Sequence, residues 1–281
     1  MTLPSAASDL ALMEAAAREA GALTRSFFGR DYEKWSKGSA GPVTEVDLAV
    51  DQLLKERLAG ARPDYGWLSE ETPDNEERLR RSHVFISDPI DGTEAFIKAL
   101  PQYTISIGLA VNGRAALGVI YNPQTDELWM GGGGLPATLN GRPARASARA
   151  SLDGASMIGR SQTFGDKRWT TPWPAMEFVW RHSIAYRLAL VASGDADATI
   201  LFGFKNEWDI AAGIAILDAA GGLSTETAGG PLLFNRPEPK VLGVVASGAL
   251  LHPLLIERVK NIPHPKDWRP DGWKVPAMEG T

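Results

Sequence analysis

The stretch Asp88-Pro89-Ile90-Asp91-Gly92-Thr93 sets two carboxylates three residues apart between an apolar run and a set of helix formers. The run before it, His83-Val84-Phe85-Ile86-Ser87, shows little alternation and predicts a buried strand. Pro89 keeps Asp88 out of the α region and so at the end of that strand. Gly92 permits a tight turn into the helix that Thr93-Glu94-Ala95-Phe96-Ile97-Lys98 favours. Carboxylates brought together on such a turn repel, and a cation between them relieves the repulsion. Ligands that are all oxygen favour Mg²⁺, Mn²⁺ or Ca²⁺. The Gly92 and Thr93 amides at the helix start would face an anion held by that metal. A structural use of the same residues is open: Asp91 with Glu94 fits a variant of the N-terminal capping box, and Asp88 fits an ordinary strand-end acid.

Three further acids stand where elements begin or end. Asp47 follows Thr44 by three residues at the head of a helix, again a capping-box spacing. Glu70, with Glu71, follows the short strand Tyr65-Gly66-Trp67-Leu68, and Asp209 follows Trp208 at the start of another helix. Each has a bland reading as a cap or a solvated carboxylate. Other chemistries find no support. The four histidines share no metal-ligand spacing, there is no Gly-x-Ser-x-Gly elbow, and Gly131–Gly134 fits no nucleotide-loop pattern and reads as a loop. The absence of cysteine removes disulfides, thiolate catalysis and Cys-ligated zinc.

The elements that must carry these acids alternate in type. A helix is expected over residues 9–28, with Ser8 as N-cap and Gly29 as the stop, then a loop to Pro42 and a second helix with Val46, Val50, Leu53, Leu54 and Leu58 on its core face. Residues 103–130 predict an antiparallel meander, punctuated by Asn112-Gly113 and by Asn122–Asp126, and Asn140-Gly141 adds another hairpin. Beyond Ser151, strands at 156–160, 198–202 and 241–246 alternate with helices at 184–192, 208–219 and 249–260. The tail through Trp268 and Trp273 has proline punctuation and no period. We expect two αβ lobes packed as one body: residues 1–152, with an antiparallel sheet and most of the acids, and residues 153–281, supplying Asp209.

With 281 residues, 44% hydrophobic and 22% charged, the chain can bury a sizeable core. A net charge of −5 argues against nucleic-acid polymers and anionic membranes as partners. No apolar run is long enough to span a membrane and no signal-peptide pattern is present, so a cytoplasmic location is expected.

Taken together, four blocks resemble the inositol monophosphatase superfamily of Mg²⁺-dependent phosphatases. They are Pro42-Val43-Thr44-Glu45-Val46-Asp47, Leu68-Ser69-Glu70-Glu71, Asp88-Pro89-Ile90-Asp91-Gly92-Thr93 and Trp208-Asp209-Ile210-Ala211-Ala212-Gly213, the last followed by Ala219-Ala220-Gly221-Gly222. The resemblance implies a layered αβαβα sandwich of the mixed α/β (α+β) class and hydrolysis of a small phosphorylated metabolite. It implies that Glu70, Asp88 and the Ile90 carbonyl hold one Mg²⁺, and that Asp88, Asp91 and Asp209 hold a second. It gives Thr93 and Asp47, beside Glu70, the activation of water, and gives the Gly92 and Thr93 amides the binding of phosphate. Lithium inhibition and a homodimer are further family expectations.

Two departures refine this. The acid that many members carry before Pro-Val-Thr is missing from Lys37-Gly38-Ser39-Ala40-Gly41, which predicts two firmly held metals and at most a weak third. The Glu with which inositol-specific members hold ring hydroxyls is replaced by Leu201 or Phe202. Phe202-Gly203-Phe204-Lys205-Asn206-Glu207-Trp208-Asp209 instead resembles the corresponding block of bacterial 3′(2′),5′-bisphosphate nucleotidases, as does Phe96-Ile97-Lys98. Leu201 and Phe202 are then expected to wall the substrate, and Lys205 to meet a second phosphate. Inositol-1-phosphate and histidinol- or sugar-phosphates are the alternative substrates, and a metal- or anion-binding regulator is the non-enzyme alternative.

Overall fold

The computed structural model describes residues 5–36, 38, 41–165, 169 and 171–260. Lys37, Ser39 and Ala40, where the third-metal acid is missing, and the tail containing Trp268 and Trp273 lie outside the described residues. The chain opens with α1 (Ala6–Phe27), a two-stranded ribbon of β1 (Lys34–Ser36) and β2 (Pro42–Thr44), and α2 (Glu45–Ala61). A long meander follows: β3 (Gly66–Ser69), β4 (His83–Asp91), the short α3 (Thr93–Ile97), β5 (Thr104–Val111), β6 (Arg114–Asn122), β7 (Glu127–Gly132), β8 (Leu135–Leu139) and β9 (Arg142–Pro143). The remainder is β10 (Ser156–Ile158), α4 (Ser161–Phe164), β11 (Glu177–Val179), α5 (Ile184–Ala192), β12 (Ala198–Asn206), α6 (Glu207–Ala219), β13 (Gly222–Thr225), β14 (Lys240–Gly248) and α7 (His252–Val259).

These elements stack in five layers. A seven-stranded sheet, ordered β3-β4-β5-β6-β7-β8-β9, carries α1 and α2 on one face and α5 and α6 on the other. A five-stranded sheet, ordered β11-β10-β12-β14-β13, closes over α5 and α6 and carries α7 outside. Coverage of both faces explains why β4 and β5 are apolar runs without alternation: all eight residues of β5 are buried. Among the described residues, no helix is long and apolar enough to cross a membrane.

Several local expectations shift. Helix α1 begins one turn earlier than expected, with Ser5 at the N-cap position, while Ser8 Oγ donates back to the Ser5 carbonyl at 2.9 Å. Strand β4 does not end at Asp88 but continues to Asp91 across a bulge, with Asp88 opposite Ser106 and Asp91 opposite Thr104. The capping variant suggested for Asp91 and Glu94 is absent. Gly92 itself caps α3 at φ 97°, and Glu94 pairs with Lys98 at 3.3 Å. Gly131 and Gly132 are strand, not loop, and only Gly133 and Gly134 make the turn, because Gly131 must let β8 pass: a Cβ there would lie 2.9 Å from Ala137 Cα.

The contact that fixes the site's geometry is that of α6 on the large sheet. Gly108 and Gly118 are cross-strand partners on β5 and β6, and Ala211 and Ala212 of α6 rest directly on them. A Cβ on Gly118 would lie 2.1 Å from the Ala212 carbonyl oxygen. On the opposite side of α6, Gly213 admits Leu188 of α5, whose Cβ would stand 2.4 Å from an added methyl. We therefore expect Gly118→Ala to lower stability by about 1–3 kcal/mol through overpacking. Urea denaturation measures this; an unchanged midpoint would mean that α6 can lift from the sheet without penalty.

Candidate active site

Asp47 is the third residue of α2, and its two oxygens have separate uses. Oδ2 accepts from the Thr44 amide at 2.8 Å and from the Thr44 hydroxyl, completing the capping box, while Oδ1 accepts from Thr93 Oγ1 at 3.0 Å. The capping use of this acid is present, and its other oxygen meets Thr93, the residue with which the resemblance pairs it. Burial pushes its pKa up to about 6 against the pull of these bonds. Thr93 Oγ1 also lies 3.1 Å from the Ile90 carbonyl, so Thr93, Asp47 and Ile90 converge where β4 turns into α3.

Asp88 and Asp91 are both buried on the bulged end of β4. Asp88 Oδ1 accepts from the Ile90 amide at 3.0 Å. Asp91 reaches into the N-terminus of α5, where its Oδ2 accepts from Ser183 Oγ at 2.7 Å and from the Ala185 amide. Asp209, third residue of α6, accepts from the Asn206 amide at 3.1 Å. Glu70 follows β3 and donates its amide to the Ser87 carbonyl at 3.2 Å, beside Asp88.

The acids share one field. Burial raises Asp88 well above the usual carboxylate range, and Glu70, Asp91, Asp209 and Asp47 add to it in that order. Asp209 is likewise raised by burial, Asp91 and Glu70, with Lys205 opposing. Asp91 is raised by burial against the bonds from Ser183, Ala185 and Ile184. Among the described residues, no three such side chains stand drawn together as a closed metal shell. The donor set nevertheless suits a hard divalent cation: Glu70, Asp88, Asp91, Asp209 and the Ile90 carbonyl are all oxygen, and their mutual repulsion is what a cation removes.

The expected substrate residues fare unevenly. Phe202 is half-buried beside Trp169, at 6.0 Å between rings. Leu201 is only 2% exposed and packs into the core between the sheets, so it presents no open wall. Lys205 Nζ donates to the carbonyls of Phe202 and Phe204 at 2.8 and 2.9 Å, burial lowers its pKa, and Asp209 and Arg187 are its charged neighbours. Gly92 packs tightly, with an added Cβ meeting the Gln102 carbonyl at 3.0 Å and Ser183 at 3.3 Å.

Several supporting residues were not singled out from sequence. Asp51, one turn after Asp47, takes the Ser69 and Thr72 hydroxyls and brackets the Glu70-Glu71 corner. Glu207 accepts the Asn235 and Arg236 amides at 2.6 and 2.9 Å. Arg78, 2% exposed, joins Asp74 to Asn235, so the segment after Glu71 is tied to the loop that holds the start of α6. Arg187, buried on α5, is the lone charge in Ile184–Ala192; a charged residue inside an apolar helix, like an acid on the core face of α2, is the available signal.

Comparison with known proteins identifies the family. Residues 7–264 match the model of the inositol monophosphatase family. A histidinol-phosphatase from Chlorobaculum parvum is 34% identical over 225 residues, covering 76% of this chain and 84% of that protein. Inositol monophosphatase 3 from Solanum lycopersicum is 32% identical over the same shares. Among solved structures, the Thermotoga maritima IMPase superposes with a TM-score of 0.77 at 27% identity, covering 90% of this chain and 97% of that one. Fold, acid placement and family match converge: the chain belongs to the inositol monophosphatase family and is a phosphoric monoester hydrolase.

Proposed function

We propose that the protein is a Mg²⁺-dependent phosphatase whose substrate is a small nucleotide carrying two phosphates, of the 3′(2′),5′-bisphosphate kind. The observation that carries the finer reading is the positive charge beside the acids. Lys205 stands in the field of Asp209 and the buried Arg187 in that of Asp91 and Asp209, with Phe202, which packs on Trp169, three residues before Lys205. Such a surface suits a second anion and a flat base. It does not suit the ammonium of histidinol phosphate, and it offers ring hydroxyls no carboxylate acceptor like the Glu of inositol-specific members.

Glu70, Asp88, Asp91, Asp209 and the Ile90 carbonyl would hold two Mg²⁺ ions. Bound there, they would place positive charge against the phosphate oxygens and lower the pKa of a water. The chain's own residues do the rest. Thr93 Oγ1 aligns the attacking water, and Asp47, behind Thr93, takes up the proton that the water releases. The bulge between Asp88 and Asp91 sets both acids on the bent end of β4 within the field of Asp209, and Gly92 would let the backbone face a phosphate.

Two measurements check this. Asp88→Asn is expected to abolish phosphate release from a generic phosphate ester in Mg²⁺ while leaving the circular dichroism spectrum unchanged. Asp47→Asn is expected to reduce turnover by about 10²–10⁴-fold. Near wild-type turnover in Asp88→Asn would sink the assignment.

A pH dependence follows from the raised acids. Asp47, Asp88, Asp91 and Asp209 bind protons more tightly in the folded chain than in the unfolded one. Their contribution to stability is complete at low pH and is lost as pH rises, for Asp47 through about 6. In EDTA the melting temperature should therefore fall as pH rises from about 4 through about 6. Added Mg²⁺ should restore it most at the upper end, where the ligands are ionised. A Mg²⁺-induced shift that is no larger at high pH would overturn this account.

A further inference from the structure

One cationic feature beside the site takes no part in the mechanism above. The guanidinium carbons of Arg160 and Arg187 both lie against the indole of Trp180, at 4.5 and 4.1 Å from its ring. Arg187 is 9% exposed, with Nε and Nη2 spent on the carbonyls of Arg181 and His182 at 2.8 and 3.1 Å. Burial pushes its pKa down to about 10, with Arg160 acting in the same direction. Arg160 is exposed, and none of its described contacts is to a carboxylate. Two like charges are therefore held on one aromatic ring, and among the described residues no acid pairs with Arg160.

Three pieces of the chain build this arrangement. Arg160 follows β10, Trp180 follows β11, and Arg187 is on α5, the helix whose N-terminus holds Asp91. Arg187 also lies within the field of Asp91 and Asp209. Through Arg187 the stack thus adjoins the acids, and Arg160 is its exposed end. Guanidinium groups match phosphate oxygens in geometry and charge, and an indole beneath holds the fork in place.

We infer that Arg160, held on Trp180 beside Arg187, is the specificity-determining residue of this enzyme: it binds a second phosphate on the small molecule whose first phosphate is hydrolysed. This rests on the phosphatase reading above and assigns its selectivity to a residue outside the Phe202–Lys205 segment. Arg160 makes the direct contact, and Arg187 and Trp180 position it.

A matched pair of substrates isolates the second phosphate: adenosine 3′,5′-bisphosphate and adenosine 3′-monophosphate, each assayed in Mg²⁺ for released phosphate, with p-nitrophenyl phosphate alongside. The wild type should favour the bisphosphate in kcat/KM by about tenfold or more, the size of one charge-assisted contact. Arg160→Ala should shrink that preference about tenfold, mainly through KM, and Arg160→Lys should keep much of it. Indifference of the wild type to the second phosphate, or an Arg160→Ala variant losing both substrates in the same ratio, overturns the assignment while hydrolysis of p-nitrophenyl phosphate leaves the phosphatase reading standing. Failure to release phosphate from any of the three overturns both.

Discussion

Three of the acids at this site are held through one oxygen at the N-terminus of a helix, and in Asp47 the other oxygen meets Thr93. Asp47 completes the cap of α2, Asp91 accepts from the first turn of α5, and Asp209 closes the cap of α6. The partial positive charge and unpaired amides at a helix start stabilise a carboxylate that burial would otherwise neutralise. The same bonds fix its orientation, because a side chain held at one oxygen aims the other. Without these anchors, acids that repel one another in a low-dielectric pocket would turn away toward solvent.

The anchors work only if the three helices are themselves held in register, and small residues do that. Helix α6 lies on the glycines of β5 and β6 at one side and takes Leu188 of α5 against Gly213 at the other. A larger residue at any of these places moves Asp209 relative to β4, since interiors packed at crystal density have no slack to absorb a methyl group. The polar brackets serve the same end at the mouth. Asp51 fixes the Glu70-Glu71 corner through Ser69 and Thr72, and Arg78 with Glu207 ties the next segment to the loop at the head of α6. The acidic cluster is therefore a property of the whole layered fold and not of one loop.

Much of this was legible in the sequence because it is local. Gly92 in the left-handed region, Thr44 with Asp47 as a capping box and the unalternating β4 are each determined by a few neighbouring residues. Asp47, Glu70, Asp91 and Asp209 were legible for the same reason, since each stands at or near the end of an element. What could not be read depends on pairing across the chain. The bulge that carries β4 past Asp88 is set by its register against β5, and Leu201 is buried because β12 runs beside β14 before its own register shift. Arg187 and Trp180 are close in sequence, yet Arg160 joins them only through the parallel pairing of β10 with β11.

The charge arrangement explains how a chain of net charge −5 receives an anionic substrate. The negative groups are concentrated around Asp88, where they suit divalent cations, and Lys205 and Arg187 stand in their field with Arg160 beside Arg187. Divalent cations held by Glu70, Asp88, Asp91 and Asp209 would neutralise these acids and turn the local field positive regardless of the overall charge. Without them the acids repel the substrate phosphate, so the cations that the site would hold for chemistry would also set the sign of the field that admits the substrate.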